Sequence, residues 1–250
     1  MIEWIGLSPQ FDVAHIGPPL DVGRLPSIFY FALSAEESLA LDPYNQPAIF
    51  LASKGIRVFS VNLPAHGPGL NALDALGVWA EQFASGHDPL SPFLDQVCAA
   101  IEAVFEKGWA IREKIGAMGL SRGGWVALHT MAKSPMIRSA VGFAPLIKLD
   151  KTREFEKLQV SLDPSLEISL PPLVDRPIRS YISNRDIRVG TRTCFDFTES
   201  LVETSFQEGV RSPPVDLIIA PPIGHMGHGT SKETFIHGAT WLAQQLGEMR

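Results

Sequence analysis

The feature that most constrains this chain is a regular alternation along its length. Short apolar runs, rich in β-branched and aromatic residues, are followed by longer amphipathic stretches. A strand in a parallel sheet is covered on both faces and reads as a continuous apolar run, and reaching its parallel neighbour takes a crossover, usually a helix. The alternation therefore predicts an α/β fold with a mainly parallel β-sheet flanked by helices. Strands are expected at 27–33, 56–61, 114–118, 139–143, 178–182 and 215–220. Helices are expected over 46–54, ended by Gly55, and over 72–84, 94–107, 123–131 and 231–245. Thr230 is placed to cap the last of these, with Glu233 completing a capping box.

Two stretches break the pattern. Residues 20–26 precede the sheet and suit extra antiparallel structure. Residues 145–177 carry Pro145, Pro164, Pro171, Pro172 and Pro177 between two strands, which suits a short lid over the sheet's C-terminal edge. No composition shift marks a boundary, so residues 1–250 are read as a single domain, long enough for one sizeable core.

Charge and composition narrow the function classes. A formal net charge of -6 repels phosphate backbones and argues against nucleic acid as the main partner. No apolar run approaches the roughly 20 residues of a membrane span. The start, MIEWIGLSPQ, has an early Glu3 and no basic region, unlike a secretory signal. Cys98 and Cys194 lie far apart without metal-ligand spacing and read as free thiols, so a cytoplasmic, reducing location is expected. The seven histidines contain no H-E-x-x-H, and no metal site is expected.

The chemistry is carried by Gly119-Leu120-Ser121-Arg122-Gly123, a G-x-S-x-G motif with a strand expected before it and an amphipathic helix after it. A serine hydroxyl is a weak nucleophile until a base takes its proton. A sharp strand-to-helix turn lifts that hydroxyl above the sheet, and the glycines let strand and helix approach. The free N–H groups of the following helix favour a developing oxyanion.

On these residues, and over roughly residues 27 to 246, the sequence resembles the α/β-hydrolase superfamily, in particular its small esterase and peptidase-like members. The resemblance implies Ser121 as nucleophile, followed in chain order by an acid and a histidine. Asp186, in the loop after strand 178–182, resembles the family's acid. Asp175 and Asp196 are weaker candidates. For the base, the register strand-P-x-x-G-H selects His225, while His228 also follows a glycine and lies closer to the final helix. His66, in NLPAHGPG, resembles a turn whose histidine is structural, and His129 reads as a helix residue without a catalytic role. The resemblance also implies an oxyanion hole formed by the backbone N–H of Arg122 and by that of Leu33 or Ser34, although this chain lacks the usual glycine there. The Arg122 side chain suits either a substrate carboxylate or a carbonyl or acid on a neighbouring loop, with the second favoured.

The implied reaction is hydrolysis of a carboxylic ester or related acyl bond in a small-molecule substrate, without a cofactor. Peptide cleavage and acyl transfer would use the same triad, although the large accessory domain of peptidase relatives is not expected here. A catalytically silent binding module on the same fold is the competing class, and the altered loop at Leu33 and Ser34 is its one supporting feature.

Overall fold

The computed structural model describes residues 2–8, 11–159, 162–163 and 166–248. The chain begins with two antiparallel strands, β1 (Glu3–Ser8) and β2 (Phe11–Ile16). It continues through β3 (Leu25–Phe31), α1 (Ala35–Ala40), α2 (Gln46–Ser53), β4 (Arg57–Ser60), α3 (Ala75–Ala84) and α4 (Ser91–Glu106). Then come β5 (Ala110–Leu120), α5 (Arg122–Lys133), β6 (Ile137–Phe143), α6 (Arg153–Leu158), β7 (Ile178–Ser183), α7 (Thr191–Gln207), β8 (Val215–Ala220) and α8 (Lys232–Gln245). The strands form one eight-stranded sheet in the order β1-β2-β4-β3-β5-β6-β7-β8. From β4 to β8 every pairing is parallel; β2 joins β4 antiparallel.

Alternation along the central strands fills a core on each face. In β3, Phe29 and Phe31 enter one apolar cluster while Ile28 and Tyr30 enter the other, as the two-residue period of a strand requires. Each such fully buried side chain contributes about 1.5–3 kcal/mol. Helix α5 is buried from Arg122 through Met131, packed behind β5 and β6. That depth anchors the strand-to-helix turn at its start, where Leu120 and Ser121 stay half-buried.

The six expected parallel strands are all present, with ends shifted by a few residues. Three expectations need correction. The extra antiparallel structure lies at β1 and β2, not at 20–26. Residues 20–22 form a 3-10 turn, and 25–26 already belong to the parallel strand β3. The fully buried Arg57 guanidinium donates to Pro18, Pro19, Gly23 and Trp109 oxygens, compensating a charge taken from water. The cap of α8 is Ser231, whose Oγ accepts the Thr234 N–H at 3.2 Å; Thr230 lies one residue too early. Finally, a short helix, α1, occupies residues read from the sequence as a loop.

Between β6 and β7 the segment expected as a lid carries a 3-10 turn at 149–151, α6, and another at 171–173. Leu146, Leu149, Phe155, Leu166, Ile168 and Leu173 are buried in the main core, and Phe155 meets the Phe83 ring of α3 at 5.9 Å. Residues 160, 161, 164 and 165 of that segment, Pro164 among them, lie outside the described residues.

Burial lowers three histidines, His15, His66 and His129, and this predicts an acid-sensitive fold. Burial holds His66 down at about 4 and His129 at about 3, against 6.5 for a free side chain. Below pH 6.5 the unfolded chain takes up protons that the folded chain refuses, so stability falls with pH until the folded values are reached. His129 lies with its ring 3.8 Å from that of Trp125. Urea unfolding is expected to show a steady loss of stability from pH 7 to pH 4.5, shallower in His129→Phe. An equal slope in the variant would contradict this.

Candidate active site

Ser121 sits between β5 and α5 with φ 55 and ψ -120, a backbone conformation that L residues rarely adopt. Three hydrogen bonds hold it there. Its N–H donates to Phe143 O at 2.8 Å, and its carbonyl accepts from Gly124 at 2.9 Å and Leu146 at 2.9 Å. The flanking glycines are steric necessities. A Cβ on Gly119 would collide with the Gly123 carbonyl, and one on Gly123 with the carbonyl of Phe31 in β3.

Asp186 lies in the loop after β7 and is almost completely buried. Its Oδ1 accepts the N–H groups of Arg188 at 2.9 Å and Val189 at 3.0 Å. Its own N–H donates to Thr191 Oγ1 at 2.9 Å, and that hydroxyl donates to Ser183 O at 2.7 Å. The remaining oxygen, Oδ2, faces His228 Nδ1 at 2.7 Å, while His228 Nε2 lies 2.8 Å from Ser121 Oγ. A carboxylate opposite Nδ1 places the proton on that nitrogen, leaving Nε2 as acceptor for the serine hydroxyl.

Of the two histidines open in the sequence, the structure brings His228 to the serine. His225 is exposed at the start of a 3-10 turn over 225–227. Gly227, at φ 72, separates them, and any side chain there would strike the Arg185 carbonyl. Together with the bond from Ile187 N–H to Met226 O at 3.1 Å, this close approach presses the histidine loop against the acid loop and turns His228 inward. The clue in the sequence is the glycine before each histidine: only the second sits where two loops touch. Asp175 is exposed, and Asp196 pairs with Arg192 on α7 at 2.6 Å.

Arg122 is the first residue of α5, where a backbone N–H has no partner within the helix. Its side chain turns away from solvent and donates to Ala72 O at 2.7 Å, in line with the loop-carbonyl reading. Its Nη1 also lies 3.3 Å from His66 Nε2, whose ring in turn bonds Pro64 O through Nδ1 at 2.9 Å. Burial lowers the guanidinium to about 10, so it stays cationic at neutral pH. His66 and Arg122 thus buttress the elbow from behind.

The other expected oxyanion donors are engaged. Leu33 N–H donates to Ser38 Oγ at 3.1 Å and Ser34 N–H to Glu37 Oε2 at 3.1 Å. Ser34-Ala35-Glu36-Glu37 is a capping box that starts α1, and its S-x-x-E spacing is the sequence signal for that helix. A cavity of about 600 Å³ lies elsewhere, between the 147–170 segment and α7, and none of Ser121, Asp186 or His228 lines it. Among the described residues no group of three or more His, Cys, Asp or Glu could hold a metal ion, and no helix is long and apolar enough to cross a membrane. Cys98 and Cys194 are unpaired, with burial pushing their thiols up to about 11 and about 12.

Solved structures share this architecture. An esterase from Pyrococcus furiosus superposes with a TM-score of 0.67 at 17% identity, over 99% of this chain and 91% of that one. The chain has the α/β-hydrolase fold. An S-formylglutathione hydrolase from Agrobacterium tumefaciens matches with a TM-score of 0.61 at 16% identity, covering 98% of this chain and 95% of that one. Dipeptidyl peptidase 4 from Porphyromonas gingivalis gives 0.65 at 18% identity over 97% of this chain, which spans 35% of the peptidase's length. No protein-family model and no curated protein matches the sequence. A Cβ on Gly123 would overlap the Phe31 carbonyl oxygen, so Gly123→Ala is expected to cost about 3 kcal/mol or more, or to prevent folding. Thermal unfolding within about 0.5 kcal/mol of the parent would contradict the close approach to β3.

Proposed function

We propose that this chain is a serine hydrolase that cleaves a carboxylic ester or related acyl bond in a small molecule through Ser121, His228 and Asp186. The observation that carries the reading is the continuous pair of hydrogen bonds through one imidazole, from Asp186 Oδ2 to Ser121 Oγ. As Ser121 Oγ attacks the acyl carbon, its proton passes to His228 Nε2. The carbonyl oxygen takes up negative charge near the Arg122 N–H at the start of α5. The imidazolium, steadied by Asp186, returns that proton to the leaving alcohol, and an ester to Ser121 remains. Water then attacks this acyl-enzyme with His228 as base, the acid departs and Ser121 recovers its proton. Peptide bonds and acyl transfer to another alcohol are open to the same groups. The neighbours in structure include an esterase, an S-formylglutathione hydrolase and a peptidase, which supports acyl chemistry as a class.

A second reading, a hydrolase fold that binds without turnover, is favoured by one observation: the N–H groups of Leu33 and Ser34 already have acceptors. A fluorophosphonate probe separates the two. The expected result is a single adduct on Ser121, absent from Ser121→Ala. His228→Ala should slow ester turnover by about 10⁴ to 10⁶, and His225→Ala by less than about tenfold. No adduct in folded protein would remove the hydrolase reading, and equal losses in the two histidine variants would remove the assignment of the base.

A further inference from the structure

At the end of β3 three consecutive backbone N–H groups each meet a side-chain acceptor. Leu33 donates to Ser38 Oγ at 3.1 Å, Ser34 to Glu37 Oε2 at 3.1 Å, and Ala35 to Asn62 Oδ1 at 2.8 Å. In an α/β hydrolase this is where a free N–H should meet the oxyanion. A carboxylate oxygen on the Ser34 N–H occupies that donor.

The three acceptors are not equally fixed. Ser38 is fully buried, and its hydroxyl donates to Ser34 O at 2.7 Å, so it has nowhere to go. Glu37 is only half-buried. It lines, with Trp4, Asp12, Ser34 and Asn62, an open cavity of about 540 Å³ into which its carboxylate can swing. Its holds on Ser34 are local: Oε2 accepts the N–H and also the hydroxyl, at 2.6 Å, and the Glu37 N–H returns to Ser34 Oγ at 3.2 Å. Of the two N–H groups considered for the second oxyanion donor, only that of Ser34 can be released by moving a single half-exposed side chain.

We infer that Glu37 is a latch on the second oxyanion donor: turnover requires its carboxylate to leave the Ser34 N–H, and the resting enzyme is held below its full rate. This rests on the reading of Ser121 as nucleophile. Glu37 is a positioning residue that acts through Ser34 and touches no reacting atom. A capping carboxylate with only a structural role would give the opposite mutational sign, since its loss would loosen α1 and slow the enzyme.

The test is steady-state hydrolysis of p-nitrophenyl acetate by the full chain, together with inhibition by phenylboronic acid, which forms a tetrahedral adduct on an activated serine. Because deleting one oxyanion donor costs about 10² to 10³ in kcat, freeing one in Glu37→Ala is expected to raise kcat about tenfold or more. KM should change little, and the boronic acid should bind tighter by a similar factor. The melting temperature should fall by a few degrees from the lost cap. Glu37→Met, which keeps bulk and helix propensity without an acceptor, should behave alike, and Glu36→Ala, on the exposed side of α1, should match the parent. Glu37 variants no faster than a parent whose Ser121 is labelled by fluorophosphonate would overturn the latch alone. Folded parent and variant both refusing the label would overturn the hydrolase reading and the latch with it.

Discussion

The site depends on a backbone held where L residues resist going: Ser121 at positive φ, pinned by bonds to Phe143, Gly124 and Leu146. Such a conformation costs of order 1–3 kcal/mol and persists only where its surroundings over-determine it. Here they do. β5 lies between β3 and β6, so the Phe31 carbonyl limits the elbow from one side and the turn after Phe143 from the other. Glycine at 119 and 123 follows from that crowding, and the burial of α5 follows from the glycines. The serine hydroxyl is thereby delivered at one place above the sheet.

A second close approach completes the site. The acid loop after β7 and the histidine loop after β8 come from adjacent parallel strands and touch at Gly227 and the Arg185 carbonyl. Asp186 is held by two backbone N–H groups and by Thr191, so only one of its oxygens is left to orient His228. The imidazole tautomer is a consequence of sheet order and two tight loops.

Much of this was legible in the sequence, and the failures have physical causes. Parallel strands buried on both faces announce themselves as apolar runs, and G-x-S-x-G between a strand and a helix locates Ser121. Asp186 was legible from its position after β7. The choice between His225 and His228 was not, because it turns on a contact with Arg185 some forty residues away in the chain. The β1 and β2 hairpin was missed because both strands carry a mixed polar pattern, and β1 forms the sheet edge. Arg57, an arginine at the first position of β4, gave no hint of the four carbonyls it gathers. The state of the Ser34 N–H was hidden for a different reason: S-x-x-E was present, but its helix is only six residues long and lacks an apolar period.

The central claim is that Asp186 and Ser121 share one imidazole, with the proton on the acid side. The most direct measurement is nitrogen NMR of the His228 ring in the folded protein near neutral pH, assigned with His228→Gln. The account predicts a protonated Nδ1 and an unprotonated Nε2, with the preference lost in Asp186→Asn. A proton on Nε2, or a ring that samples both tautomers as a free histidine does, would contradict it.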